Sequence, residues 1–209
     1  MEKIFHVFVS STYRDLIDER KKVSEALSRA GYVAEGMEIF PAAAQKQMDF
    51  IERMINRCDY YILIVAGRYG SIAEDGQSYT EKEYLYAKSR GIPVLALIHK
   101  NIDEIPGKFQ ESNEEVKLKL ATFTETLKRN SLVDFWNNPD DLAARALAAL
   151  AQARGTHEGI GWVRGNTTAS SEILSELNDA RKENEELRRS ISSLSQTQSF
   201  NDIDIAGLD

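Results

Sequence analysis

The sequence predicts an α/β protein: an open parallel sheet of about five strands flanked by helices, followed by a C-terminal coiled-coil helix. Three observations predict it. Across residues 1–153, short apolar runs alternate with helical patterns, which is the order of a parallel sheet with crossover helices. The run at 59–66, Asp-Tyr-Tyr-Ile-Leu-Ile-Val-Ala, has an unbroken apolar tail, as in a strand buried on both faces. Beyond a stretch rich in Gly, Thr, Asn and Ser at 154–171, apolar residues recur at strict heptad spacing.

Each element has a local cause. Ile4 to Val9 is rich in β-formers and stops at Ser10-Ser11-Thr12. A helix is expected over 13–29, with Leu16, Val23, Leu27 and Ala30 on one face and Asp18, Glu19, Lys21 and Lys22 facing water. Gly31 closes it as a C′ glycine. A second strand is expected over 32–40, ending at Pro41, and a helix over 44–57 turns Met48, Ile51, Met54 and Ile55 inward. The third strand, 59–66, runs into a loop at 67–78 that carries three glycines. Thr80 begins the next helix, which reaches about Arg90, and Gly91-Ile92-Pro93 turns the chain into a strand at 94–98. A helix around 114–129 and a short edge strand at 132–136 follow. An Ala-rich helix over 139–153, with Pro139 at N1, ends the α/β domain.

Residues 154–171 read as a linker. Beyond it, Ile173, Leu177, Ala180, Asn184, Leu187, Ile191 and Leu194 are spaced 4, 3, 4, 3, 4, 3. This places Leu177, Asn184 and Ile191 at a and the others at d of a coiled coil over 172–198. A lone Asn at an a position specifies parallel dimers, because its amide pairs with its twin across the axis. The expected partner is therefore a second copy, as a dimer or higher oligomer through 173–194. A single amphipathic helix packed on the domain is the alternative. Residues 199–209 read as a flexible tail.

Composition sets the class. The chain has 209 residues, 42% of them hydrophobic, which suffices for one globular domain with an appendage. A single cysteine, Cys58, makes no internal disulfide, and no Cys/His cluster is spaced to hold zinc. The longest apolar run, Tyr60 to Gly67, falls short of the ~20 residues that span a bilayer. Met1-Glu2-Lys3 leads straight into a strand without the form of a signal peptide. The expectation is a cytoplasmic protein with no membrane partner. A formal charge of −7, with no Lys/Arg run longer than Arg20-Lys21-Lys22, argues against a nucleic-acid partner.

In an open α/β sheet, ligands bind outside the carboxyl ends of the strands. The segments gathered there are 10–12, 37–41 with Glu38, 67–71, and 78–83. Ser10, Ser11 and Thr12 precede a helix and suit either N-capping or contact with a phosphate or ribose. Arg68 and Tyr69, with Ser71 in the same glycine-bearing loop, offer a guanidinium for phosphate and a ring for a base, or else stack on each other. Thr80 reads as an N-cap and Glu83 as its N3 partner in a capping box. The same carboxylate, facing the sheet edge, also suits a nucleophile or a stabiliser of an oxocarbenium ion. Glu38 is a second carboxylate within reach of that cleft. His6 and His99 read as structural, Cys58 as a small buried hydrophobe, Trp136 and Trp162 as packing residues, and Asp15, Glu19 and Arg20 as a local ion network. No GxGxxG, P-loop, GxSxG or HExxH motif is present, so no bound cofactor is expected.

Longer motifs carry a resemblance. Val7-Phe8-Val9-Ser10-Ser11-Thr12-Tyr13-Arg14-Asp15-Leu16 with Asp18-Glu19-Arg20 resembles the opening of the domain-of-unknown-function 4062 family. So do Asp59-Tyr60-Tyr61-Ile62-Leu63-Ile64 with Gly67-Arg68-Tyr69-Gly70-Ser71, and Ser78-Tyr79-Thr80-Glu81 with Glu83-Tyr84. The match is close over 3–100 and looser to Arg164. That family often sits in larger signalling or antiviral defence proteins. It is distantly similar to nucleoside 2-deoxyribosyltransferases and to Toll/interleukin-1 receptor (TIR) domains, which implies a flavodoxin/TIR-like sheet. In the transferases, a Gly-Thr-x-x-Glu-x-x-x-Ala motif supplies the catalytic glutamate. Thr80, Glu83 and Ala87 keep that spacing, while Tyr79 replaces the glycine before the threonine and Leu85 a glycine two places after the glutamate. The resemblance thus implies Glu83 as nucleophile. It implies a nucleotide-binding signalling or defence module that cleaves or transfers at an N-glycosidic bond, as of NAD. The rival expectation is a non-catalytic sensor or scaffold that oligomerises through its coiled coil.

Overall fold

A computed structural model describes residues 3–36, 44–164 and 171–204. The compact unit, residues 2–162, is built on five parallel strands: β1 (His6–Ser11), β2 (Val33–Gly36), β3 (Tyr60–Val65), β4 (Val94–His99) and β5 (Leu132–Trp136). They lie in the order β2-β1-β3-β4-β5, so chain order reverses between β1 and β3. This doubly wound order is flavodoxin-like. The crossover helices are α1 (Ile17–Arg29), α2 (Ala44–Ile55), α3 (Tyr79–Ser89), α4 (Glu114–Asn130) and α5 (Pro139–Thr156).

Period-2 alternation divides the core into two layers. Val7 and Val9 of β1, with Tyr60, Ile62 and Ile64 of β3, pack against Val23 and Leu27 of α1 and Leu142, Ala146 and Leu150 of α5. Phe8, Tyr61, Leu63 and Val65 face the other way, towards Ile51 and Ile55 of α2, Tyr84 and Ala87 of α3, and Phe123 of α4. All six residues of β3 are buried, as its apolar run predicts for a central strand. The same alternation sends Ser10 to the α3 layer and Ser11 to the α1 layer, which sets up the site.

Several expectations shift. Strand β1 continues through Ser11, and α1 starts only at Ile17 with Leu16 as an N-cap that makes no side-chain cap bond. Neither Ser10, Ser11 nor Thr12 therefore caps it. The expected second strand beyond Gly36, together with Glu38, lies outside the described residues. Residues 157–162, expected as linker, return to the sheet. Tyr60 Oη donates to the His157 carbonyl at 2.9 Å, Gly161 N–H donates to Asp59 Oδ1 at 2.8 Å, and Ile4 bridges Trp162. Cys58 is buried, as expected of a small hydrophobe, and burial pushes its thiol up out of the reactive range.

Residues 163–209 form a second unit containing α6 (Ser171–Asp204), a 34-residue helix. Leu177, Leu187 and Ile191 on it are each more than half exposed. Among the described residues no helix is long and apolar enough to cross a membrane.

Candidate functional site

The loops after β1 and β3 enclose a cleft of about 540 Å³ with the N-terminus of α3. It lies at the point where strand order reverses, the place where doubly wound folds bind ligands. Arg14, Arg68, Thr12, Ser71 and Thr80 line it, and the rings of Tyr13 and Tyr79 stand at its walls. Thr12 Oγ1 donates to Asp15 Oδ2 at 2.9 Å, which holds the loop after β1 in its own turn ahead of α1. Arg68 donates from Nη2 to the Lys108 carbonyl at 2.8 Å, while its Nε is buried without a partner. The guanidinium is thus anchored at one end with donors to spare.

Two glycines shape the loop after β3. Gly70 has φ +99°, and a Cβ there would also press on Thr12 Cγ2 at 3.1 Å and Thr80 Oγ1 at 3.3 Å. A Cβ on Gly67 would lie 2.7 Å from the Phe109 carbonyl. These close approaches let one backbone loop reach both neighbouring segments.

Beneath the cleft lies a buried polar layer. Ser10 Oγ donates to Glu83 Oε2 at 2.6 Å, and Glu83 has no exposed surface. Its second oxygen, Oε1, is buried without a partner, as are the hydroxyls of Tyr61 and Tyr84. Burial pushes the Glu83 carboxyl up to about 7, against the opposing pull of the Ser10 hydroxyl and the Arg20 charge. Burial and the Glu83 charge together raise the Tyr61 phenol well above its ordinary value. On the opposite face of β1, Arg20 is 2% exposed and donates to the Val9 carbonyl at 3.2 Å and to Ser11 Oγ at 3.0 Å. Ser11 in turn donates to the Thr12 carbonyl at 2.7 Å.

The structure brings Ser11, Thr12, Arg68, Ser71 and Thr80 to one cleft, and puts Ser10 and Glu83 one layer below it. Two expectations fail. Thr80 is not the N-cap: Ser78 is, accepting from Glu81 N–H at 3.1 Å, so Glu81 and not Glu83 occupies N3. Tyr69 offers no face to a base, because its ring is buried edge-on to Phe123 and its hydroxyl donates to Glu81. Tyr79 and Tyr13 stand in the cleft instead.

Arg20, read from the sequence as part of a local ion network with Asp15 and Glu19, is the largest residue whose buried role was missed. Its signal was present, since Leu16, Arg20, Val23 and Leu27 fall at one helical stripe. Glu83 has the same kind of signal: Thr80, Glu83, Tyr84 and Ala87 form the buried face of α3. Among the described residues, no group of three or more His, Cys, Asp or Glu is placed to hold a metal ion.

The model of the family described as "Domain of unknown function (DUF4062)" matches residues 6–151. No protein of curated function matches the chain. Among solved structures, the chain is similar to the Clostridium botulinum CMP N-glycosidase BcmB, with 13% identity over 68% of this chain and 98% of that one, and a TM-score of 0.45. It is also similar to the TIR domains of the activated Roq1 resistosome that recognises the pathogen effector XopQ, with 12% identity over 86% and 98% and a TM-score of 0.39. A short-chain flavodoxin associated with a non-canonical PDU bacterial microcompartment shares 13% identity over 73% and 99%, with a TM-score of 0.36.

Proposed function

We propose that this chain, which belongs to the domain-of-unknown-function 4062 family, is a nucleotide-binding module of signalling or defence type that holds the ligand's phosphate and ribose in the β1/β3 cleft. One observation carries the reading. Two arginines, four serine and threonine side chains and two tyrosines line the switch point of a doubly wound sheet, with Asp15 and Glu111 beside them. Arginine forks match phosphate, hydroxyls match ribose, and an aromatic wall shields the contacts from water. The test is equilibrium binding of nucleosides and their 5′-monophosphates. The monophosphates are expected to bind more tightly, and Arg68→Ala to weaken them by roughly tenfold or more while leaving the nucleosides unchanged. Equal affinity with and without phosphate would overturn the reading.

A second reading, cleavage of the N-glycosidic bond, rests on Glu83. A carboxyl poised near neutrality with one unpartnered oxygen suits stabilisation of an oxocarbenium-like centre while the base departs and water adds. Thr80 lines the cleft one helical turn before Glu83, on the same buried face of α3. It has no exposed surface, and catalysis therefore requires the floor formed by Ser11, Thr12 and Thr80 to open when substrate binds. Release of base that vanishes in Glu83→Gln, with ligand binding retained, is the expected signature. Binding without release from any nucleotide would leave the module a sensor.

The reading includes assembly through α6. In a parallel, in-register pair with Leu177, Asn184 and Ile191 at a, Glu176 and Glu183 occupy g positions and face Arg181 and Arg188 at the e positions of the second copy. An antiparallel pair would set Arg against Arg and Glu against Glu. The exposed seam of Leu177, Leu187 and Ile191 on a helix roughly 50 Å long supplies the apolar contact. Sedimentation of the full chain is expected to show a dimer that dissociates in Leu187→Asp. A monomer at all concentrations would dismiss the assembly.

A further inference from the structure

A second cavity of about 560 Å³ opens at the carboxyl ends of β3, β4 and β5. Arg14 and Asp15 line both it and the first cleft, so the two share one wall. Their chemistry differs. The first cleft sets the guanidiniums of Arg14 and Arg68 against the carboxylates of Asp15 and Glu111, whereas in the second Arg14 is the sole arginine and Asp15, Asp18, Glu19 and Glu104 line it. Its apolar surface comes from Leu16, Ala66, Ile105, Phe109 and Trp136, the last only 2% exposed.

His99 decides what this cavity accepts. It is 9% exposed and stands edge-on to Trp136 with ring centroids 4.5 Å apart. Its Nδ1 accepts the Asn101 N–H at 3.2 Å, which places the proton of the neutral ring on Nε2. That Nε2 has no hydrogen-bond partner among the described residues. Asp15 Oδ1 is likewise buried and unpartnered on the shared wall. The side chain the sequence marked as structural is therefore an oriented donor in a cavity that Glu19 also lines. A ring N–H donor and a carboxylate acceptor lining one cavity with apolar walls match a flat ring with a bare ring nitrogen next to an exocyclic amino group.

We propose that this cavity is the base subsite for the ligand of the first cleft, and that it takes an amino-bearing nucleobase of the adenine or cytosine type. The inference rests on the nucleotide reading of that cleft. His99 Nε2–H donates to the ring nitrogen and Glu19 accepts from the amino group. Phosphate stays on Arg68. The keto bases uracil and hypoxanthine present the reverse pattern, an N–H against His99 and a carbonyl oxygen against Glu19, and both contacts become repulsive.

The test measures binding of AMP against IMP, CMP against UMP, and ribose 5-phosphate as the base-free probe, on the full chain. The amino nucleotides are expected to bind roughly tenfold or more tightly than their keto counterparts. Glu19→Ala and His99→Ala should each erase that preference and leave ribose 5-phosphate affinity unchanged. Glu19 is only partly buried, so its variant stands even where His99→Ala disturbs the Trp136 contact. Ribose 5-phosphate binding with equal affinity for amino and keto nucleotides would overturn the base subsite and leave the first cleft intact. Failure of ribose 5-phosphate and all nucleotides to bind would overturn both.

Discussion

Glu83→Gln is expected to flatten the pH dependence of stability between about pH 4.5 and 7 and to make the fold more stable than the parent at the alkaline end. Unfolded, the carboxyl titrates at its ordinary value of 4.5; folded, it titrates at about 7. Below pH 4.5 both states hold the proton and no stability is lost. Between the two values the native state keeps a proton that the unfolded state has released, so stability falls as pH rises. Above 7 both states are ionised and the full penalty persists, about 3 kcal/mol for a shift of this size. Glutamine keeps the shape and the acceptor for Ser10 but has no charge to bury. Thermal unfolding of both proteins across that pH range measures the difference. Parallel curves would mean that Glu83 is solvated and that the layer beneath the cleft is not dry.

Arg20→Met is expected to destabilise the fold by about 3 kcal/mol at neutral pH. Methionine preserves the apolar stem, so the loss falls on the guanidinium. The Val9 carbonyl and Ser11 Oγ, both buried, lose a charged donor. Withdrawal of that positive charge also removes one of the two influences that hold the Glu83 carboxyl down, so its titration moves higher. Combined with Glu83→Gln, the loss should be smaller than the sum of the two single changes, because the charge that Arg20 offsets has gone. Chemical denaturation of the two single variants and the double variant provides the cycle. Strict additivity would show that Arg20 and Glu83 act independently across β1.

Much of this was legible in the sequence, for reasons that particular residues make plain. β3 was recognisable because only a central parallel strand is apolar along its whole length, and β5 and α5 because Trp136 ends one and Asn138-Pro139 starts the other. Helix boundaries at the carboxyl edge were less legible. Ser10-Ser11-Thr12 looked like a helix start because hydroxyl residues favour caps, yet two of them are the end of a strand whose pairing with Leu63 and Ile64 of β3 overrides that preference. Likewise, Thr80 and Glu83 have capping-box spacing, but Ser78 and Glu81 share it two residues earlier, and burial of Tyr84 and Ala87 selects the earlier start. Tyr79, at the start of α3, lines the cleft, and Tyr69 of the loop after β3 does not. The Glu81 acceptor and the Phe123 edge hold Tyr69 in the core, and neither contact is local in sequence.

By itself, the sequence determined the layered α/β class, the sites of the strands, the switch-point loops and the heptad spacing of α6. Those are properties of short-range periodicity and turn chemistry, which a chain carries whether folded or not. Only the tertiary structure decided what the site residues do. Alternation along β1 sends Ser10 to Glu83 and Ser11 to Arg20, on opposite faces of one strand. Parallel pairing of β4 with β5 brings His99 against Trp136 and opens the second cavity beside the first. The physical reason is that burial and proximity are set by which elements pack together. A carboxyl, a guanidinium and an imidazole take their charge state and their partners from that packing.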